Sequence, residues 1–319
     1  MKKIIAALSI ALVTATSAFA NYPEKTVTIV VPFPPGGPTD TVARSLAPKL
    51  QEKFGGTFVV DNKAGATGTI GATFVKRAPA DGHTLFVASL GPFVIVPHLI
   101  KGVQYDALKD FDYLTIAVQA PNVLVVPANS PIQNLNSLIV ELKKDPGKMS
   151  FASSGNGSSD HLTAELFWQQ TQTMGLHVPY KGGAPAMNDL LGGQAQAAFF
   201  NINAVVQHVR AGKLKALAMT GDKRSAVLPD VPPLAELGIK GVNVYSWQGV
   251  AAPKGLPADI KAKLHAALVS AINDPSVKDK FVSQGLEVVA NTPEQFTQFQ
   301  ATEFARWKKV IETGKITAD

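Results

Sequence analysis

Residues 26–55 read TVTIVVPFPPGGPTDTVARSLAPKLQEKFG, an order of residue types that describes a strand, a glycine-rich loop and a helix. Thr26 to Val31 is a short apolar, β-branched run stopped by Pro32, as expected for a buried parallel strand. Val42, Leu46 and Leu50 recur every four residues and give one helix face. Thr39 or Asp40 is expected to cap its start, and Gly55–Gly56 to end it. Outward from this unit, Phe58–Val60 reads as the next strand, and 62–73 (NKAGATGTIGAT) as a second glycine-rich loop leading into a helix. Thr84–Ser89 is a third strand. Phe111–Ala117 and Val123–Val126 read as two further strands, interrupted by Pro121-Asn122. Strands alternating with helices predict an α/β fold with a mostly parallel sheet.

The pattern then restarts. Strands are expected at Met149–Ser153, Leu176–Pro179, Ala197–Phe200 and Leu214–Thr220, with helices between them. After a strand at Val244–Ala251 the chain is helical. Pro257 is expected at a helix start, and Thr292-Pro293-Glu294-Gln295 has the capping-box form. Residues 1–20, MKKIIAALSIALVTATSAFA, combine a basic start, an apolar run and an A-x-A-type end. They read as a secretory signal peptide cleaved after Ala20. Removing Lys2 and Lys3 lowers the formal charge from +6 to +4. There is no cysteine, so no disulfide and no lipid-modified cysteine is available. The chain is therefore expected in the periplasm as a soluble protein. Its basic residues are scattered, which with export argues against nucleic acid as a partner.

Four loops at strand carboxyl ends carry the chemistry: 33–40, 62–69, 153–161 and 180–184. Open α/β sheets bind ligands at such ends. Glycine lets several N–H groups converge, serine and threonine add hydroxyls, and helix starts add positive dipole ends. This suits a carboxylate or another small anion. Neither GxGxxG with its acidic partner nor GxxxxGK[ST] is present, so no nucleotide is expected. Residues 153–157, SSGNG, are not a G-x-S-x-G elbow. Asp160 and His161 are adjacent on a helix and diverge by about 100°, against a Ser154-centred triad. The six histidines form no H-E-x-x-H. No catalysis, metal or cofactor is expected.

Taken together, YPEKTVTIVVPFPPGGPTD (22–40), VVDNKAGATGTIGA (59–72), ASSGNGSSDHL (152–162), VPYKGGAPAMNDLLGGQ (178–194) and KLKALAMTGDKRSAVLPDVPPLAELG (213–238) resemble the TctC-like receptors of tripartite tricarboxylate transporters. The resemblance covers nearly all of 23–314. It implies a type II periplasmic binding fold: two α/β lobes, joined by crossing strands, closing over a small organic acid for a two-subunit membrane permease. The lobes are expected at 21–122 with 247–319, and at 123–246, in a monomer.

Carried over by position, the first lobe contributes Phe33, Pro34, Gly36, Gly37, Thr39 and Asp40, then Ala66, Thr67 and Gly68. The second contributes Ser153, Ser154, Gly155, Ser158 and His161, then Tyr180, Lys181 and Gly182. Leu90 and Asn201 complete the expected site, Leu90 with Phe93 and Phe200 as either an apolar wall or core. Many members carry Asp where this chain has Asn201. A neutral amide both donates and accepts, which weakens an amino-acid ligand and leaves di- and tricarboxylates, hydroxy acids and aromatic acids open. No arginine clamp is expected, Arg44 facing solvent or protein. A signalling receptor of the same fold is the alternative role, and a secreted hydrolase a third.

Overall fold

The structure, a computed structural model, describes residues 22–317; the expected leader and its expected cleavage point lie outside the described residues. The first half runs β1 (Val27–Val31), α1 (Pro38–Phe54), β2 (Phe58–Asn62), α2 (Thr69–Lys76), β3 (Thr84–Ser89), α3 (Val96–Leu99), β4 (Phe111–Pro127) and α4 (Leu135–Lys144). The second runs β5 (Ser150–Ser153), α5 (Ser159–Thr171), β6 (Leu176–Pro179), α6 (Gly183–Leu191), β7 (Ala197–Asn201), α7 (Ile202–Arg210) and β8 (Leu214–Met219). It closes with β9 (Tyr245–Pro253), α8 (Ala258–Asn273), α9 (Pro275–Ser283), β10 (Glu287–Val288) and α10 (Pro293–Gly314).

These strands make two sheets that share β4. One has the order β2-β1-β3-β9-β4, with β10 added beside β4. The other has β6-β5-β7-β4, with β8 on the far side of β4. Each holds three parallel strands whose first member in sequence lies in the middle, followed by one antiparallel strand. The unit β1-α1-β2-α2-β3 thus has a topological counterpart in β5-α5-β6-α6-β7. The fold is two α/β lobes around a cleft. The carboxyl ends of both parallel sets carry the loops singled out above.

β4 corrects the sequence reading, since the two expected strands are one strand of 17 residues. At Pro121 its partner is Tyr245 of β9; at Asn122 the partner becomes Asn201 of β7. Proline is tolerated where ladder partners change, so Pro121-Asn122 marks a change of sheet. The cap expectation also changes. Gly37 is the N-cap of α1 with no side-chain cap, and Pro38 takes the first helical position, where its missing N–H costs nothing. Gly55 ends α1 in the left-handed region, as its position suggests. Pro257 is an N-cap before α8, whereas Thr292 and Gln295 form the capping box of α10 as read.

The core lies on both faces of the sheets. Val27, Ile29 and Val31 of β1 join one apolar cluster and Val30 the other, as a strand covered on both sides requires. Phe93 is fully buried and stacks on Trp247 at 5.8 Å, with Phe296 edge-on to both. Leu90 and Phe200 are also buried in the two clusters. All three are buried.

Candidate functional site

The first donor loop is shaped from within. Gly36, at φ +85°, turns the chain after Pro34 and Pro35, and its N–H donates to Asp40 Oδ2 at 2.9 Å. Arg44 Nε reaches the same oxygen at 2.9 Å, and Asn62 Nδ2 donates to Oδ1 at 2.9 Å. Asn62 Nδ2 also donates to Phe33 O, and Arg44 donates to Asn62 Oδ1. Burial alone would raise the Asp40 pKa. The Arg44, Gly36 and Asn62 hydrogen bonds outweigh it and hold the carboxyl below its usual range. Asp40 is therefore a buried brace with its oxygens committed, and Arg44 is paired with it. What the loop offers outward is the uncapped start of α1, where Gly37, Thr39 and Asp40 have N–H groups without intrahelical acceptors.

After β2 the chain makes one tight turn over Ala66–Gly68. Ala66 and Thr67 have φ of 45° and 54°, and Gly68 has φ of 93°. Left-handed conformations cost non-glycine residues energy and concentrate at ligand sites. Gly68 N–H bonds Gly65 O, and an added Cβ on Gly68 would lie 2.6 Å from Pro92 Cγ. Gly68 thus permits close packing, while Ala66 and Thr67 form the outer rim.

In the second lobe the loop after β5 is also held by an aspartate at a helix start. Asp160 Oδ2 accepts Ser154 N–H at 2.6 Å, much as Asp40 accepts Gly36. Ser158 caps α5 and donates to Gly155 O; His161 Nδ1 accepts Gly157 N–H at 3.2 Å. Ser153 Oγ lies 2.6 Å from His177 Nε2, and the His161 and His177 rings stack at 3.8 Å. Burial, aided by the neighbouring His161, drops the His177 pKa to about 3, so this ring is neutral at pH 7. Ser153, Ser158 and His161 therefore hold the loop in shape, with Gly155 supplying the turn at φ +128°. Ser154 Oγ, in contrast, carries no hydrogen bond among the described residues.

Tyr180 N–H donates to Ser153 O and its hydroxyl to Asp189 Oδ2 at 2.7 Å. Both Tyr180 donors are thus committed. Gly182 N–H bonds Ser154 O and, as the uncapped N-cap, opens α6. Lys181 is exposed beside it. Asn201 Nδ2 donates to Asn122 Oδ1 at 2.5 Å and to Ser159 Oγ at 3.4 Å. Asn122 Nδ2 in turn donates to Thr163 Oγ1. Among the described residues these bonds leave Asn201 Oδ1 without a hydrogen-bond partner.

The loop after β5 packs against the segment that follows β3. An ideal Cβ on Gly91, just past β3, would stand 3.5 Å from Gly157 O, and one on Gly157 would touch Leu99, Val96 and Ile95. The wide helical turn Gly91–Ile95, running into α3, thus sits under the loop after β5. Sequence reasoning placed no helix there. The run is apolar throughout, so periodicity had nothing to report. Among the described residues no group of three metal-ligating side chains forms.

The sequence model for the tripartite tricarboxylate transporter family receptor matches residues 42–316. The chain belongs to that receptor family. The receptor is 38% identical to Protein BugT of Bordetella pertussis over 98% of each chain. Among solved structures it resembles R. palustris Rpa4515 with adipate: 34% identity, 93% of this chain and 99% of that one, TM-score 0.87. It also resembles MatC from Rhodopseudomonas palustris with bound malate: 33% identity, 91% and 100% coverage, TM-score 0.84. Its fold is thus that of solute-binding receptors.

Proposed function

We propose that this chain is a periplasmic receptor that holds a small aliphatic carboxylic acid, a dicarboxylate foremost, and presents it to a two-subunit membrane permease. The carrying observation is that each lobe places uncommitted donors at the carboxyl ends of its parallel strands. The N–H groups at the start of α1 come from one side, and Ser154 Oγ with the start of α6 from the other. Each group is neutral, and Arg44 is neutralised by Asp40. Several aligned N–H groups at a helix start stabilise a carboxylate without a counter-charge. Lys181 supplies the positive charge of the second set. Adipate and malate in two relatives support a dicarboxylate. Leu90, Phe93 and Phe200 lie in the core, which favours an aliphatic ligand over an aromatic one.

In this reading the lobes comprise 21–122 with 247–319, and 123–246, and the leader at 1–20 delivers the chain to the periplasm. Calorimetry tests the reading. The mature chain is refolded, to strip carried ligand, and titrated with aliphatic, hydroxy and aromatic acids. One-to-one saturable binding of a dicarboxylate with no product is expected. Turnover, or failure of every acid to bind, refutes it.

A further inference from the structure

Gln248 lies in β9, in the run YSWQGVAAP, opposite Ser89 at the carboxyl end of β3. Side chains alternate along a strand. Trp247 and Ala251 enter one apolar cluster and Val250 and Ala252 the other. Gln248 shares the face of Val250 and Ala252 and marks where the β3 ladder ends, at the carboxyl ends of the parallel strands. It is 4% exposed. Its Oε1 accepts the Thr39 hydroxyl at 2.7 Å. Its Nε2, with two N–H donors, makes no hydrogen bond among the described residues.

The topological counterpart makes this informative. Asn122 occupies in β4, opposite β7, the place that Gln248 occupies in β9, opposite β3. Asn122 is fully buried, with its oxygen and its nitrogen both bonded within the protein. Two buried amides in equivalent places differ in one respect: the one at the start of α1 has half its polar capacity open. The amide nitrogen is not fully sealed from solvent, so it is open to a ligand, whereas a hydrocarbon there would only complete the face. The occupied half is held by Thr39, in the first turn of the uncapped helix.

We propose that Gln248 is a ligand-contacting residue, whose side-chain amide donates to the carboxylate held at the start of α1 while Thr39 fixes its orientation. The proposal rests on the carboxylate reading above and adds a side-chain donor to a first-lobe set otherwise made of backbone. It also assigns discrimination. An amide nitrogen with its oxygen already occupied rewards a ligand oxygen that only accepts, and rejects an ammonium or other donor group at that end.

The test titrates adipate, malate and succinate into wild type, Gln248→Leu, Gln248→Glu and Thr39→Val by calorimetry, and measures ligand-free unfolding of each. Gln248→Leu should weaken the best-binding acid about tenfold to a hundredfold, the range for one hydrogen bond to a charged group. Gln248→Glu, nearly isosteric, should weaken it further, because the open position would then hold oxygen. Thr39→Val should fall between wild type and Gln248→Leu. The ligand-free Tm of Gln248→Leu should stay within about 3 °C of wild type, a shift worth about 1 kcal/mol. Binding by Gln248→Glu within about twofold of wild type overturns the proposal, since the oxygen would then face the cleft. So does an affinity loss in Gln248→Leu matched by a large loss of Tm, which marks a packing role. If wild type binds none of the acids, the carboxylate reading itself falls, and this one with it.

Discussion

Asp40→Asn is the sharpest probe of how the first donor loop is built. The substitution keeps shape and removes charge. The carboxylate now accepts Gly36 N–H and Arg44 Nε on one oxygen and Asn62 Nδ2 on the other. An asparagine that keeps the first oxygen must turn its own NH2 toward Asn62 Nδ2. Asn62 cannot flip to meet it, because it already donates to Phe33 O and accepts from Arg44. At least one charge-assisted bond is therefore lost, about 1.5–3 kcal/mol. The Arg44 ion pair adds less than about 1 kcal/mol, since half of that side chain is exposed and screened. The total is about 2–4 kcal/mol. With a urea slope of about 3 kcal/mol/M, the midpoint should fall by about 1 M at pH 7.

The pH dependence follows from the same bonds. The Asp40 pKa is lowered on folding, so its contribution is fully present above its ordinary value of 3.8 and is lost as pH falls through the lower folded value. The gap between wild type and variant should thus be constant from pH 7 to about 5 and narrow below about 4. Urea melts of both proteins at pH 7, 5 and 3 measure it. A variant as stable as wild type at pH 7, or a gap that persists undiminished at pH 3, would refute the reasoning.

Ser154→Ala should weaken carboxylate binding about tenfold to a hundredfold while leaving the unfolding midpoint in place, because Ser154 Oγ makes no hydrogen bond among the described residues; titration and melting of the same sample decide it. Arg44→Gln should leave affinity within a few-fold of wild type, since that charge is already paired, and abolished binding would argue for a direct clamp. Asn201→Asp would set an oxygen against Asn122 Oδ1, so it should cost about 1–3 kcal/mol of stability besides changing ligand preference; an unchanged melting curve would show that Asn122 turns over to meet it. Trp307→Ala, at a fully buried ring whose Nε1 bonds Glu303, should cost about 3–5 kcal/mol in chemical denaturation.

The elements most legible in the sequence are those with local causes. β1 was readable because a parallel strand buried on both faces needs an unbroken β-branched run, and α1 because its apolar stripe has a four-residue period. Pro38 carried a readable signal for the helix start: proline at the first helical position puts the cap on Gly37, whereas Thr39 and Asp40 drew attention as better capping types. β4 misled because proline has one meaning inside a ladder and another where ladder partners change, and only the sheets distinguish them. The donor loops were legible as groups but not by role. Asp40, Ser153, Ser158, His161 and Tyr180 have polar atoms committed to the frame, while Ser154 is open. That division depends on which partners the fold brings near, such as His177 from β6 against Ser153. Gln248 gives the weakest signal of all, one polar residue beside Ser246 in a mostly apolar strand.

The position of β9 bears on how the chain assembles. It lies between β3 and β4, antiparallel to both, yet it follows β3 by more than 150 residues in sequence. A chain delivered N-terminus first presents β1, β2 and β3 long before the strand that must lie beside β3 exists. Until Tyr245–Pro253 arrives, β3 has an open edge carrying Leu85, Phe86 and Val87, an unpaired apolar template for any other strand. The β5–β7 set faces no such wait, because β4, its antiparallel neighbour, precedes it. Assembly is thus directional: the later sheet can close first, and the earlier one depends on a contact of high sequence separation, which is slow to form. Folding should show a rapid phase from the β5–β7 set and a slower one set by β9 insertion, with aggregation competing only against the second.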